Sequence, residues 1–222
     1  GAPAASAMAQ VPFYVLDRPN PLTASLVQGP VMDSEMKSFT GYFPLPVRHG
    51  MTVGELAGLF NGEDAIGAEL HVVKMKGYRR DSWFDETGLP WVNPSPNIRS
   101  PQQALLYSGI GLLEATNLSV GRVTDWPFEV IGAPWIGDPA GLAEALNARG
   151  LPGVAFVPVS YTPLSSVFAG QPLGGVRLVV TDREALRTVT LGLVVARELM
   201  ERYPANFRPA AIQNLLVNRS TI

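Results

Sequence analysis

Residues 11–21 have the sequence VPFYVLDRPNP, an apolar run that ends abruptly in charged and turn-forming residues. A short, continuous apolar run bounded by proline is typical of a buried strand in a parallel sheet. We therefore predict a strand over residues 11–16. Ligands of open α/β sheets bind beyond the carboxyl ends of the strands, which makes Asp17, Arg18 and Asn20 candidate functional residues. The alternative is a solvated turn in which Asp17 caps its own backbone.

Helix and strand signals alternate along the rest of the chain. Ser or Thr followed three residues later by Glu or Gln marks the start of a helix at Thr52, Ser100 and Thr181. Helices are predicted over 53–61, 101–114, 139–148, 181–202 and 209–216. Strands are predicted over 68–75, 128–131, 154–159 and 176–180. This alternation predicts an α+β fold with a mixed β-sheet covered by helices.

The composition narrows the possible functions. The 222 residues, 46% of them apolar, are enough for one large or two small packed domains. A net charge of −2 offers no basic surface for nucleic acid. No apolar run approaches the roughly 20 residues that span a bilayer. We expect neither nucleic acid nor a membrane as a partner, and the absence of cysteine excludes disulfides and thiolate chemistry.

Polar residues are concentrated on the connections between Trp91 and Trp135. This segment contains a PSPN turn at 94–97, an NLSVGR loop at 117–122 and a WPFE run at 126–129. A packed core does not need so many hydrogen-bonding side chains on its connections, whereas binding residues often lie on loops held by a rigid scaffold. The segment therefore predicts a ligand site.

Several common catalytic motifs are absent. The sequence has no phosphate-binding loop, no dinucleotide-binding glycine motif and no nucleophile elbow. The spacing of the two histidines does not favour a metal site, so we expect neither a metal nor another cofactor. His71 is expected in a strand, half-buried or at an edge. His49 precedes a predicted helix N-terminus, where it could help to bind an anionic ligand or simply form a turn.

Seven strings in one order resemble the DUF1343 family, whose characterised members are exo-β-N-acetylmuramidases of the NamZ type. The strings are VLDRPNPL (15–22), RHGMTVGELA (48–57), VVKMKGYRR (72–80), TGLPWVNPSPNI (87–98), NLSVGR (117–122), PFEVIGAPW (127–135) and FAGQPLGGV (168–176). The resemblance implies a bacterial glycosidase of peptidoglycan recycling or cell-wall turnover that releases N-acetylmuramic acid from non-reducing ends. It also implies a periplasmic or secreted location.

The chain departs from the family pattern in two ways. Family members are longer, and their Rossmann-like N-terminal half has a Gly-Pro-Glu-His-Gly motif whose glutamate is the best candidate acid/base. We therefore expect residues 1–24 to be the last strand and loop of that half and residues 25–222 to be the C-terminal α+β domain. On this interpretation the chain is a truncated form of a two-domain hydrolase with little or no turnover of its own. The loop 120–124 resembles Glu-Gly-Arg-Gly-Thr, but here Val120 replaces the glutamate and Val123 replaces the second glycine.

Glycoside hydrolysis needs a proton donor at the leaving oxygen and a second group that stabilises an oxocarbenium-like transition state. The candidate acids are Asp17, Glu114, Asp125 and Glu129. We select Asp17 and Glu114, together with His49, as the predicted catalytic residues. Glu114 is expected at the end of a helix, close to the 117–122 loop.

Arg122 is predicted to bind the lactyl carboxylate of muramic acid, because a guanidinium group matches a carboxylate in a bidentate manner. Arg18 could do the same, and the alternative for Arg122 is an ion pair with Asp125 or Glu129. We expect Asp17, His49 and Arg122 to line one cleft.

The remaining predicted contacts are to the sugar. Flat apolar surfaces could come from Tyr78, Trp91, Trp126 and Trp135, although the core is the more usual place for each of these residues. Hydroxyl and N-acetyl groups could be bound by Asn20, Ser95, Asn97, Asn117, Ser119 and Thr124. The expected partner is therefore a small sugar or carboxylate.

Two other functions stay open. One is an esterase that uses Ser95, Ser108, Ser119 or Ser166 with His49 and Asp17 or Asp125, although no elbow motif organises these residues. The other is a non-catalytic sugar-binding half that needs a partner chain. A homodimer is also possible, because an exposed sheet edge favours pairing between strands.

Overall fold

The computed structural model describes residues 1–38 and 41–221. Its helices are α1 (Ala2–Ala9), α2 (Val53–Glu63), α3 (Pro101–Ile110), α4 (Pro139–Ala148), α5 (Thr188–Arg202) and α6 (Gln213–Leu216). Its strands are β1 (Phe13–Leu16), β2 (Gln28–Val31), β3 (Pro46–Arg48), β4 (Leu70–Val73), β5 (Val130–Ala133), β6 (Val154–Tyr161) and β7 (Leu173–Val180). Short 3-10 helices cover Ser34–Met36, Phe84–Thr87, Gly111–Ala115 and Pro209–Ile212. The predicted α+β class is confirmed, with the described strands in three small sheets.

The chain forms two compact units. Unit 1 consists of Gly1–Val27 and His49–Pro90, and unit 2 consists of Gln28–Arg48 and Trp91–Ile222. The predicted boundary between residues 24 and 25 stays a prediction. Among the described residues, no helix combines the length and the apolar character that crossing a membrane would require.

Unit 1 is built around the parallel pair β1 and β4, in which Phe13 pairs with Leu70 and Leu16 with Val73. Helix α2 packs on both strands. Its predicted capping box is present, because the Thr52 hydroxyl accepts a hydrogen bond from the Glu55 amide and the Glu55 carboxylate accepts one from the Thr52 amide. The helix continues through Gly62 to Glu63, so the predicted end at residue 61 is wrong by two residues.

Unit 2 contains an antiparallel sheet in the order β5-β7-β6, and β6 and β7 pair along their whole length. A second antiparallel pair joins β2 to β3. Helices α3 and α5 pack against each other, and α4 packs on the sheet. The core of this unit is fully buried leucine, isoleucine and phenylalanine, with members on α3, α4, α5, β5 and β7.

Several predicted boundaries in unit 2 are wrong. Strand β6 ends at Tyr161 rather than at residue 159, and β7 begins at Leu173 rather than at residue 176. Strand β5 begins at Val130 rather than at residue 128. The helix predicted from residue 101 to 114 stops at Ile110 and continues as a 3-10 helix. Helix α5 begins at Thr188 rather than near residue 181, because the Gln28 side chain accepts hydrogen bonds from the amide and hydroxyl of Thr188.

Candidate functional site

Asp17 lies between the end of β1 and the start of α2. One of its carboxylate oxygens accepts hydrogen bonds from the Gly54 amide at 2.8 Å and the Arg18 amide at 3.0 Å. The other accepts the Thr52 hydroxyl at 3.0 Å. Both oxygens therefore fasten the N-terminus of α2 to β1, in place of the solvated turn that was the alternative. The catalytic role of Asp17 stays a prediction.

His49 lies in the turn before α2, and its Nδ1 accepts a hydrogen bond from the Met51 amide at 3.1 Å. Burial lowers the pKa of His49 below its usual value of 6.5. The ring is therefore neutral at pH 7 and places its proton on Nε2. Asn20 holds the same turn through a 2.9 Å bond to the Met51 carbonyl. A neutral His49 can donate a hydrogen bond to a ligand but brings no positive charge to it.

Arg80 is the residue of unit 1 that the sequence prediction missed. Its guanidinium forms an ion pair with Glu55 and donates a 2.7 Å hydrogen bond to the Gly50 carbonyl. Tyr78 lies close to this network, and burial raises the pKa of Tyr78 despite the opposing effects of the Asn20 backbone and of Arg80. The phenol of Tyr78 therefore stays neutral at physiological pH.

In unit 2, two predicted site residues contact each other. Arg122 Nε pairs with Glu114 Oε1, and Arg122 Nη2 donates to Glu114 Oε2 at 3.0 Å. Each side chain is about one-third exposed. The guanidinium carbon also lies 5.5 Å from the centre of the Phe128 ring. Arg122 thus has an intramolecular carboxylate partner, and that partner is Glu114 rather than Asp125 or Glu129.

Asn117 and Ser119 use their polar atoms within the protein. The Asn117 amide donates to the Asn206 carbonyl at 2.9 Å and accepts from the Arg208 amide at 2.8 Å. Ser119 is buried, and its backbone exchanges two hydrogen bonds with Gly132. Both residues therefore support the loop that follows them.

The loop from residue 120 to 129 has an unusual backbone. Val123 and Phe128 both adopt left-handed conformations, with φ of 59° and 62°. Such strain is uncommon for residues other than glycine and is often found at functional sites. Val123 is also the position where the resemblance found in the sequence led us to expect glycine.

The turn that precedes α3 holds this loop. Asn97 accepts a hydrogen bond from the Val123 amide at 2.9 Å, and Arg99 donates to the Thr124 carbonyl at 2.7 Å. The Thr124 hydroxyl donates to the Gly121 carbonyl at 2.6 Å. Two segments that are distant in sequence therefore form one polar surface.

A cavity of about 480 Å³ opens at this surface. It is lined by Pro96, Asn97, Arg99, Val123, Thr124, Asp125, Trp126, Tyr161, Thr162 and Leu164. Among the residues predicted to contact the sugar, Asn97, Thr124 and Trp126 line it. Trp91 instead donates its indole N–H to the Ile98 carbonyl at 3.4 Å. The Ser95 hydroxyl accepts a hydrogen bond from the backbone N–H of Asn97 at 3.3 Å.

Arg99 and Tyr161 line the cavity but were not predicted. Arg99 adjoins the PSPN turn and could have been included with it, whereas Tyr161 ends β6 and no local pattern marks it. Burial raises the pKa of Tyr161 to about 12, with the Ser119 hydroxyl acting in the opposite direction. Tyr161 is therefore uncharged at any physiological pH.

The described residues contain no cluster of three or more histidine, aspartate or glutamate side chains suited to a metal ion. His49 is bonded to a backbone amide, and His71 is bonded to the Glu69 carboxylate at 3.0 Å. These contacts offer no support for the esterase alternative.

Comparisons with known proteins identify the family. The N-terminal model of the exo-β-N-acetylmuramidase NamZ matches residues 2–102, and the C-terminal model matches residues 105–222. The peptidoglycan β-N-acetylmuramidase NamZ of Bacillus subtilis (strain 168) is 48% identical over 197 residues, which cover 89% of this chain and 47% of that protein. The chain thus spans about half the length of this curated relative.

Two crystal structures of DUF1343 family proteins from Bacteroides fragilis NCTC 9343 have a similar fold. One has a TM-score of 0.89 and 34% identity, and the match covers 97% of this chain and 58% of that one. The other has a TM-score of 0.78 and 26% identity, with 98% and 59% covered. These matches confirm the resemblance found in the sequence, and the chain belongs to the NamZ exo-β-N-acetylmuramidase family, also known as DUF1343.

Proposed function

We propose that this chain is part of a peptidoglycan hydrolase that acts on sugars ending in β-linked N-acetylmuramic acid, and that the cavity of unit 2 binds the muramic acid ring. The main observation is the cavity, whose volume of about 480 Å³ suits a monosaccharide. The family supports the substrate class, because the Bacillus subtilis relative is named a peptidoglycan β-N-acetylmuramidase.

Arg99 is the proposed partner of the lactyl carboxylate. It lines the cavity, and the one hydrogen bond that its guanidinium makes within the described residues goes to a neutral carbonyl, that of Thr124. Guanidinium has five N–H donors, so several remain for a ligand carboxylate. Arg122, the predicted partner, is already paired with Glu114, and a ligand would have to displace that carboxylate. We therefore assign the carboxylate to Arg99 rather than to Arg122.

Trp126 and Asn97 are the proposed contacts to the sugar ring. Trp126 is part of the cavity wall, and its indole would offer a flat apolar surface to the C–H face of a pyranose. Asn97 uses its side-chain oxygen to hold Val123, which leaves its NH₂ group for a hydroxyl or the N-acetyl carbonyl.

Asp125 is the carboxylate on the cavity wall and our candidate for the acid or base of the reaction. It forms no ion pair with another described residue, whereas Glu129 is buried and hydrogen-bonded by Gln102 and Gln103. Asp17, His49 and Glu114 stay predicted catalytic residues with no contact to this cavity assigned to them.

The binding proposal can be tested by titration calorimetry of the 222-residue chain with N-acetylmuramic acid and N-acetylglucosamine, which lacks the lactyl carboxylate. Wild type should bind the muramic acid more tightly. Arg99→Gln should weaken its binding about 10- to 100-fold, the usual range for a hydrogen bond to a charged group, and leave N-acetylglucosamine unaffected. Arg122→Gln is the matched control and should change neither affinity. Equal binding of both sugars by wild type, or the same effect from both substitutions, would overturn the assignment.

The hydrolase proposal needs a separate measurement of turnover on a chromogenic β-N-acetylmuramide. The truncated-form interpretation predicts little or no turnover by wild type. If wild type does turn the substrate over, Asp125→Asn should lower the rate by about 10²- to 10⁴-fold, the usual contribution of a general acid or base. Sugar binding without turnover by the wild-type chain would instead select the non-catalytic sugar-binding function. An Asp125→Asn variant as active as wild type would remove Asp125 from the reaction.

A further inference from the structure

The indole of Trp126 is in contact with Arg177. The guanidinium carbon lies 5.0 Å from the centre of the indole ring, within the distance of a cation–π contact. Arg177 belongs to the central strand β7 and is paired with Val130 on one side and Val157 on the other. The backbone that holds the guanidinium is thus fixed by hydrogen bonds from both neighbouring strands.

Glu129 holds the other side of this guanidinium. Arg177 Nη2 lies 3.6 Å from Glu129 Oε2, and the Glu129 side chain is only 9% exposed. Its oxygens accept hydrogen bonds from Gln103 at 3.1 Å and Gln102 at 3.3 Å. A buried carboxylate is tolerated when it is paired and hydrogen-bonded in this way. Glu129 is therefore anchored by α3, and it fixes the place of Arg177.

Arg177 itself is not among the residues that line the cavity. Trp126 does line the cavity, and the Trp126 ring contacts the guanidinium of Arg177. A side chain that is ordered before binding loses less conformational freedom when the ligand arrives, and the ordering of one side chain typically corresponds to a 2- to 10-fold change in affinity.

We propose that Arg177 is a positioning residue that orients Trp126 against the sugar and acts on binding only through that ring. This inference rests on the proposed function, since it requires Trp126 to contact the bound sugar. In this proposal Glu129 holds Arg177 in place and is not the catalytic acid, although the sequence had made it a candidate for that role.

A double-mutant cycle tests the inference. The affinity of the 222-residue chain for N-acetylmuramic acid is measured for wild type, Arg177→Gln, Trp126→Leu and the double variant. Arg177→Gln should weaken binding about 2- to 10-fold in the wild-type background and have no further effect when Trp126 is leucine. A residue with a merely structural role would give the same loss in both backgrounds, and that result would overturn the proposal.

Two further measurements keep the test independent of folding. Arg177→Lys retains the charge but not the planar group that stacks on the indole, and it should bind N-acetylmuramic acid with an affinity between those of wild type and Arg177→Gln. Glu129→Gln retains the shape of the side chain and should shift the tryptophan fluorescence in the same direction as Arg177→Gln. Arg197→Gln removes an exposed arginine that pairs with Glu201 on α5 and should change neither affinity nor fluorescence. If no Arg177 or Glu129 variant changes either the fluorescence spectrum or the affinity for N-acetylmuramic acid, the positioning role is also refuted.

The cycle separates the two proposals. Failure of wild type to bind N-acetylmuramic acid, or undiminished binding by Trp126→Leu, would overturn the assignment of the cavity and this inference with it. Weaker binding by Trp126→Leu with undiminished binding by Arg177→Gln would overturn the role of Arg177 alone.

Discussion

Replacement of Gly121 by alanine is expected to lower the free energy of unfolding by about 2–5 kcal/mol. Gly121 is buried and has a φ of 74°, a left-handed conformation that costs an L-residue about 1–2 kcal/mol. An added Cβ would lie 2.5 Å from the Trp126 carbonyl oxygen and 2.6 Å from Val130 Cγ2. Overpacking of this kind costs about 1–3 kcal/mol more. The same displacement should move Trp126 and weaken binding of N-acetylmuramic acid.

Gly150 provides a matched control in the same unit. Its φ is 65°, but no heavy atom lies within 4 Å of the Cβ that alanine would add. Gly150→Ala should therefore cost only the backbone strain of about 1–2 kcal/mol and leave sugar binding unchanged. Urea unfolding followed by circular dichroism measures both variants. Equal losses of stability in the two variants would show that the close contacts around Gly121 are relieved without cost, and would refute this reasoning.

Three further predictions concern the loops. Burial lowers the pKa of His49 below 6.5, so the unfolded chain binds a proton at this residue more readily than the folded chain does. The free energy of unfolding should therefore be highest above pH 6.5 and fall as the pH decreases towards the folded-state pKa. His49→Gln should flatten the urea stability profile below pH 6.5; identical profiles for wild type and His49→Gln would contradict this. Val123→Asn should raise the melting temperature and increase the free energy of unfolding by up to about 1 kcal/mol, because asparagine tolerates the left-handed region better than valine. A lower melting temperature would show that the packing of the valine side chain outweighs the backbone strain. Asn117→Ala should lower the free energy of unfolding by about 1 kcal/mol, because it removes hydrogen bonds to the segment 206–208. The affinity for N-acetylmuramic acid, measured by calorimetry, should not change. A loss of binding would show that Asn117 belongs to the binding site.

Local chemistry explains what could be predicted from the sequence. The N-terminus of α2 follows from Thr52 and Glu55, which are three residues apart and close a capping box within one turn. The bounds of α4 were predicted correctly, because Asp138 caps the helix, Pro139 suits its first position and Gly150 can terminate it. The family resemblance also needed no coordinates, since it depends on the order of short strings alone.

The partner of each polar side chain depended on the tertiary structure. Asp17 was predicted as a catalytic residue from its place after a strand, but its two oxygens hold the start of a helix 35 to 37 residues further along the chain. The start of α5 depends on Gln28, which lies 160 residues before Thr188. Arg177 contacts the Trp126 ring although it lies 51 residues further along the chain.

By itself, the sequence determined the α+β class, several helix starts and the family, because these depend on residues that are neighbours in the chain. Only the tertiary structure decided that Arg122 is paired with Glu114 and that Arg99 lines the cavity. The physical reason is that a charged side chain binds the partner that folding brings within a few ångströms, and sequence spacing does not specify that distance.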